Sequence, residues 1–146
     1  MSIAGSRVLV TGATGFLGAA LSQKLVSEGA QVRALARSAI KAQALMDRAD
    51  VEIVMGDITR PEQVATAVAG CDYVFHCAAA LGGPLALQQQ VNVTGTHNVA
   101  EAAGRERVRR MVHVSSIAVY GYPEAGTVHE TDPARPSRSA YNTTKA

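Results

Sequence analysis

Val8-Leu9-Val10 runs directly into Thr11-Gly12-Ala13-Thr14-Gly15-Phe16-Leu17-Gly18. A short apolar strand that breaks into closely spaced glycines and then into a helical pattern permits few folds. The tight turn calls for a positive φ, which Gly12 adopts without a steric penalty. Gly15 has no Cβ, so the backbone can come close to a phosphate. Gly18 lets the following helix pack closely. The free N–H groups at the helix start then face an anion. The pattern predicts a dinucleotide pyrophosphate site formed by Thr11, Gly12, Thr14, Gly15, Phe16, Leu17 and Gly18. The glycines stand at 12, 15 and 18, not in the tighter Gly-x-Gly-x-x-Gly spacing.

The rest of the chain alternates strand and helix. Strands are predicted at Arg7–Val10, Gln31–Ala36, Val51–Met55, Asp72–Cys77 and Met111–Val114. Helices are predicted at Phe16–Glu28, Ala39–Arg48, about 61–69, Ala86–Arg105 and from Ser137 onward. Leu17, Leu21 and Leu25 are spaced as a buried stripe on the first helix, and Gly29 suits its C-terminal cap. Thr59-Arg60-Pro61-Glu62 has capping-box spacing, with proline in the first turn. Leu87, Val91, Val99 and Ala103 are the apolar positions of the long helix. Gly121 to Pro136 reads as a loop. Alternation of this kind predicts an α/β fold of the Rossmann type: a doubly wound parallel sheet, strand order 3-2-1-4-5, over residues 1–146. Ligand sites belong on loops leaving the strand C-termini.

Composition narrows the partners. Hydrophobic residues are 47% and charged residues 18% of the chain, a globular balance. A formal charge of +2 without a long Lys/Arg run predicts no nucleic-acid partner. No apolar run reaches the length of a membrane span, so no membrane partner and a cytoplasmic location are expected. Cys71, Cys77 and the four histidines share no metal-ligand spacing, which predicts no metal. Cys77 reads as an inert buried thiol and His76 as a packed, hydrogen-bonded histidine.

The end of the second strand meets the adenosine ribose in such a fold, and a carboxylate there binds the hydroxyls of NAD. Here that position is Ala36, followed by Arg37. A guanidinium can pair with a 2′-phosphate. The pair favours NADP, with NAD as the other candidate.

Tyr141-Asn142-Thr143-Thr144-Lys145 puts a phenol and an ammonium on one helix face. A nearby ammonium stabilises phenolate and makes the tyrosine a usable acid/base. Ser115-Ser116 follows strand five, where a sheet of this kind presents its ligands. Taken with the glycine loop, Gly56-Asp57-Ile58, His76-Cys77-Ala78-Ala79, Asn92-Val93-Thr94-Gly95-Thr96, Val119-Tyr120-Gly121 and Tyr141-x-x-x-Lys145, the chain resembles the extended short-chain dehydrogenase/reductase family, also called the NAD-dependent epimerase/dehydratase family. The resemblance spans nearly the whole chain.

That resemblance implies roles. Tyr141 would be the acid/base, Lys145 would support it and bond the nicotinamide ribose, and Ser116 would orient the reacting oxygen. Asp57 and Ile58 would contact adenine, and Ala78 and Ala79 would line the path toward the nicotinamide. Asn92 would hold the long helix and its neighbouring loop in register, or serve only as a packing amide. The substrate would be a small carbonyl or alcohol. Ile117 and Ala118 replace the acidic pair that drives water loss in the family's dehydratases, which disfavours dehydration. A reductase or dehydrogenase is the favoured reading, a sugar-nucleotide epimerase the alternative, and a non-catalytic dinucleotide sensor or structural subunit a third. Family members continue past the Tyr-x-x-x-Lys helix into further strands and a substrate-binding region. The chain is therefore expected to be an N-terminal part of such a protein, with strand five as an exposed sheet edge and little or no turnover alone. A homodimer is compatible with the full-length protein.

Overall fold

A computed structural model describes residues 3–47, 50–121 and 127–146. Five parallel strands run in the order β3-β2-β1-β4-β5. They are β1 (Arg7–Thr11), β2 (Gln31–Ala36), β3 (Val51–Met55), β4 (Tyr73–His76) and β5 (Arg110–His113). Between them lie α1 (Phe16–Ser27), α2 (Ala39–Met46), α3 (Pro61–Val68), α4 (Leu85–Gln88) and α5 (Gly95–Arg105); α6 (Ala140–Lys145) follows. The expected order and alternation are those observed. Arg48, where the second helix was expected to end, and residues 122–126 of the Gly121–Pro136 loop lie outside the described residues.

Strand β1 is the centre of the sheet because it pairs with both β2 and β4. Its side chains alternate between two cores. Val8 and Val10 join Leu25, Val32, Ala34, Leu45 and Tyr73 under α1 and α2. Leu9 joins Leu35, Val64, Val68, Val74, Val91 and Val99 under α3 and α5. Val8, Leu9 and Val10 are fully buried, and burying each side chain contributes about 2 kcal/mol. Arg33, a charged residue on the α3 face, donates to Ala67 O and Ala69 O at 2.9 Å each. It also pairs with Glu52 at 3.0 Å. Its cation thus satisfies carbonyls at the C-terminus of α3, where the helix dipole favours positive charge.

Three local expectations are corrected. On α1, Leu25 is buried and Leu21 packs against the core as expected, but Leu17 is 49% exposed and Gly18 and Ser22 complete the buried face. The helix approaches too closely at its N-terminal end for leucine to fit underneath. Ser22 Oγ accordingly turns back and donates to Gly18 O at 2.8 Å. The Thr59–Glu62 capping box does not form, because Arg60 is the N-cap and no side chain caps α3. Asp57 organises this turn instead. Its Oδ1 accepts from the Thr59 N–H at 2.9 Å, and its own N–H donates to Gln63 Oε1 at 2.8 Å. Finally, the long helix is not uniform. A π-helical segment, Gln89–Thr94, separates α4 from α5 and turns Val91 and Asn92 inward while Leu87 stays exposed.

Candidate functional site

The glycine loop sits where β1 ends. Gly12 has φ +66°, and a Cβ on it would stand 2.7 Å from Ala78 N. A Cβ on Gly18 would meet Gly12 O at 2.2 Å. These contacts are with backbone, so no side-chain rotation relieves them. The loop is therefore folded against the segment after β4 on one side and against α1 on the other. Gly15 is the N-cap of α1, no side chain caps this helix, and its first turn holds no acidic residue. Its amides suit an anion.

A cavity of about 510 Å³ opens beside this loop. Among the expected cofactor residues, Gly12, Thr14, Gly15, Arg37, Ile58, Ala78 and Ala79 line it. Thr11 is fully buried beneath, Phe16 is 99% exposed, and Leu17 faces out from the first turn of α1. Gly18 is buried against the loop and does not line the cavity. Ser38, Lys41, Gly56, Cys77 and Val91 also line the cavity. Cys77 is thus a half-buried cavity residue, not a strand-core thiol. Burial raises its pKa, which keeps it protonated.

At the β2 end, Ala36 is buried, and Arg37 Nη1 lies 3.6 Å from Asp57 Oδ2. Asp57 thus orients the guanidinium as well as the turn before α3. Ser38 caps α2, accepting from the Lys41 N–H at 3.4 Å. Lys41 brings a second cation to the cavity wall. Ile58 is held by Asn98, whose Nδ2 donates to Ile58 O at 2.9 Å. A Cβ on Gly95 would lie 2.6 Å from Ile58 Cδ1, so glycine allows α5 to close over this residue. The cradle formed by bare glycine backbone, uncapped helix amides and two cations fits a dinucleotide.

The second group of residues gathers at the β5 end. Lys145 is 7% exposed, and its Nζ donates to Val114 O at 2.7 Å and lies 3.4 Å from His113 Nε2. Burial lowers its pKa. Ser115 Oγ donates to Lys145 O at 3.5 Å, tying α6 to the turn after β5. Ser116 caps a short 3₁₀ turn, Ile117–Tyr120, by accepting from the Ala118 N–H at 3.2 Å. Its hydroxyl proton remains available among the described residues. Tyr141 is half-buried one helical turn before Lys145. Ser116, Tyr141 and Lys145 lie outside the lining of the glycine-loop cavity.

Asn92 connects the two halves. Its Oδ1 accepts from the Ala80 N–H at 2.8 Å, and its Nδ2 donates to Ala80 O at 3.0 Å and Thr144 Oγ1 at 2.9 Å. One buried amide therefore fixes both the loop after β4 and α6. His76 is fully buried between Thr11 Oγ1 at 2.6 Å and Thr96 Oγ1 at 2.9 Å. Its ring stacks on His113 with centroids 5.2 Å apart. Burial, aided by His113 and Lys145, pushes its pKa down to about 4. Sequence spacing does not reveal the His76–His113 pair, which arises from parallel register across strands far apart in the chain.

Residues 8–146 match the model of the NAD dependent epimerase/dehydratase family. The chain is 38% identical over 133 residues to a 2-alkyl-3-oxoalkanoate reductase of Shewanella oneidensis, covering 88% of this chain and 33% of the relative. It is 40% identical over 122 residues to a 3-beta-hydroxysteroid dehydrogenase of Mycolicibacterium neoaurum, covering 77% and 32%. A Thermus thermophilus UDP-glucose 4-epimerase solved in complex with NAD superposes with a TM-score of 0.82 at 31% identity, covering 95% of this chain and 47% of that one. The chain thus spans about a third of the length of these curated relatives and under half of the solved structure.

Proposed function

The chain belongs to the NAD-dependent epimerase/dehydratase family, and from that premise we propose that it is the dinucleotide-binding part of an NADP-preferring oxidoreductase acting on a ketone or secondary alcohol. The observation that carries this reading is the glycine-loop cavity, with Arg37, Ser38 and Lys41 at the end where β2 stops. The buried Ala36 offers no carboxylate to a ribose diol there. Arg37 and Lys41 can both pair with a 2′-phosphate. A bound dinucleotide, held by the glycine loop, Arg37 and Lys41, would supply or accept the hydride.

The chain's own residues manage the proton and the geometry. In reduction, Tyr141 would give its phenolic proton to the substrate oxygen; in oxidation it would take that proton back. Ser116 donates a hydrogen bond to the same oxygen. Lys145 holds positive charge beside Tyr141 and keeps one N–H free after bonding Val114 O and His113. The free N–H suits a ribose hydroxyl. Ile117 and Ala118 cannot transfer protons, which argues against loss of water.

An apolar substrate skeleton fits best. Two relatives are named for an oxoalkanoate and a hydroxysteroid. Around α6, which carries Tyr141, the packed elements leave Leu85, Leu87 and Ile117 exposed. The likeness to an NAD-bound epimerase supports a second reading, oxidation and re-reduction on one bound cofactor. Incubating the full-length protein with NADPH and a panel of 3-oxo compounds separates the two. Net NADPH consumption matched by alcohol supports the reductase; isomer exchange without net consumption supports the epimerase. Replacing Tyr141 with Phe should cut turnover by about a hundredfold or more while keeping dinucleotide binding. Unchanged turnover would remove Tyr141 from the chemistry.

A further inference from the structure

Four polar side chains cross the C-terminal end of the sheet in one row. Parallel register sets Thr11 beside His76 and His76 beside His113. Lys145 extends the row from α6, with Nζ 3.4 Å from His113 Nε2. The protons in this row can be assigned from its partners.

Thr96 Oγ1 donates its single proton to Asn92 O at 2.6 Å. It must therefore accept from His76 Nε2, 2.9 Å away. A neutral imidazole carries one N–H, so His76 Nδ1 is an acceptor. Thr11 Oγ1 donates to it at 2.6 Å. The Ala78 N–H, which donates to that same Thr11 oxygen at 3.4 Å, agrees with this direction. His113 requires the other tautomer. An ammonium has donors only, so His113 Nε2 must accept and its proton must sit on Nδ1.

We propose that His113 is a positioning residue for Lys145: as the Nδ1–H tautomer it accepts from the ammonium and, with Val114 O, holds it at the nicotinamide end of the site. The proposal rests on the place given to Lys145 above. A protonated His113 would present a donor and a second positive charge to Lys145, and the contact would be lost. Among the described residues, the titratable groups acting on this pair are His76 and Cys77 from the β4 side and the two partners themselves. Burial and then Lys145 hold the His113 pKa below its ordinary value, which keeps the acceptor form near neutral pH.

The test is imidazole ¹⁵N spectroscopy on the labelled 146-residue chain. The expected spectrum shows His113 protonated at Nδ1 and His76 at Nε2. In Lys145→Met, the His113 titration midpoint should rise. His113 protonated at Nε2 in the unmodified chain, or an unmoved midpoint in the variant, would overturn the proposal. NADPH affinity supplies a second readout. His113→Phe should weaken it by about threefold to tenfold, while His113→Gln, which keeps an acceptor, should stay within about twofold. Equal losses in both variants would refute positioning by an acceptor. Unchanged NADPH affinity in Lys145→Met would sink the reading of Lys145 itself and the positioning role with it, although the tautomers would stand.

Discussion

Single residues decide what the loop after β1 can bind. Gly12 and Gly18 are bare because backbone occupies the space a side chain would need, and at Gly18 the nearest atom would be 2.2 Å away. Gly18→Ala must push α1 off the loop. A loss of about 2 kcal/mol of stability is expected, with dinucleotide affinity falling in step. Urea unfolding and NADPH titration of the same variant check both, and a variant of unaltered stability would contradict the packing. These glycines are legible in sequence because positive φ and close approach leave few alternatives. Lys41 is not legible, since a lysine on a short helix carries no spacing signal. Only the fold brings it to the cavity wall beside Arg37.

Elements meet through buried polar side chains, Asn92, Asn98 and His76 among them, as well as through apolar contact. Asn92 stands in the π-helical segment between α4 and α5 and fixes Ala80 and Thr144 together. Asn92→Ala would leave the Ala80 N–H and C=O without these partners, at a cost of about 2 kcal/mol. Amide hydrogen exchange in α6 should quicken more than in β1. Uniform exchange across the chain would contradict a local anchor. The sequence placed strands and helices well because their apolar periods differ and glycine or proline marks their ends. It misjudged Leu17 at the start of α1, because leucine spacing cannot show how near the helix approaches there, while Leu21 and Leu25 face the core as expected. The π segment escaped notice too, since its residues continue a helical pattern. The Thr59–Glu62 box failed because Asp57 and Gln63 compete for the same turn.

For the whole molecule, two cores on a five-stranded sheet bring the glycine loop and the Lys145 cluster to one end. His76 links them and makes stability depend on pH. Its pKa is about 4 in the folded chain against 6.5 ordinarily. Unfolding therefore takes up a proton below pH 6.5, so stability is full above that value and declines toward pH 4. The decline from this group is about 3 kcal/mol. Urea midpoints across that range should fall less steeply in His76→Gln than in the unmodified chain, and parallel curves would assign the dependence elsewhere. Among the described residues no helix is long and apolar enough to cross a membrane. The proposed preference for NADP rests on a 2′-phosphate meeting Arg37 at the cavity wall. The most direct measurement is calorimetric titration of the chain with NADPH and with NADH, repeated on Arg37→Ala. NADPH should bind roughly tenfold tighter or more, and the variant should erase that difference. Equal or tighter NADH binding to the unmodified chain would refute the 2′-phosphate contact, and no binding of either would refute the dinucleotide site.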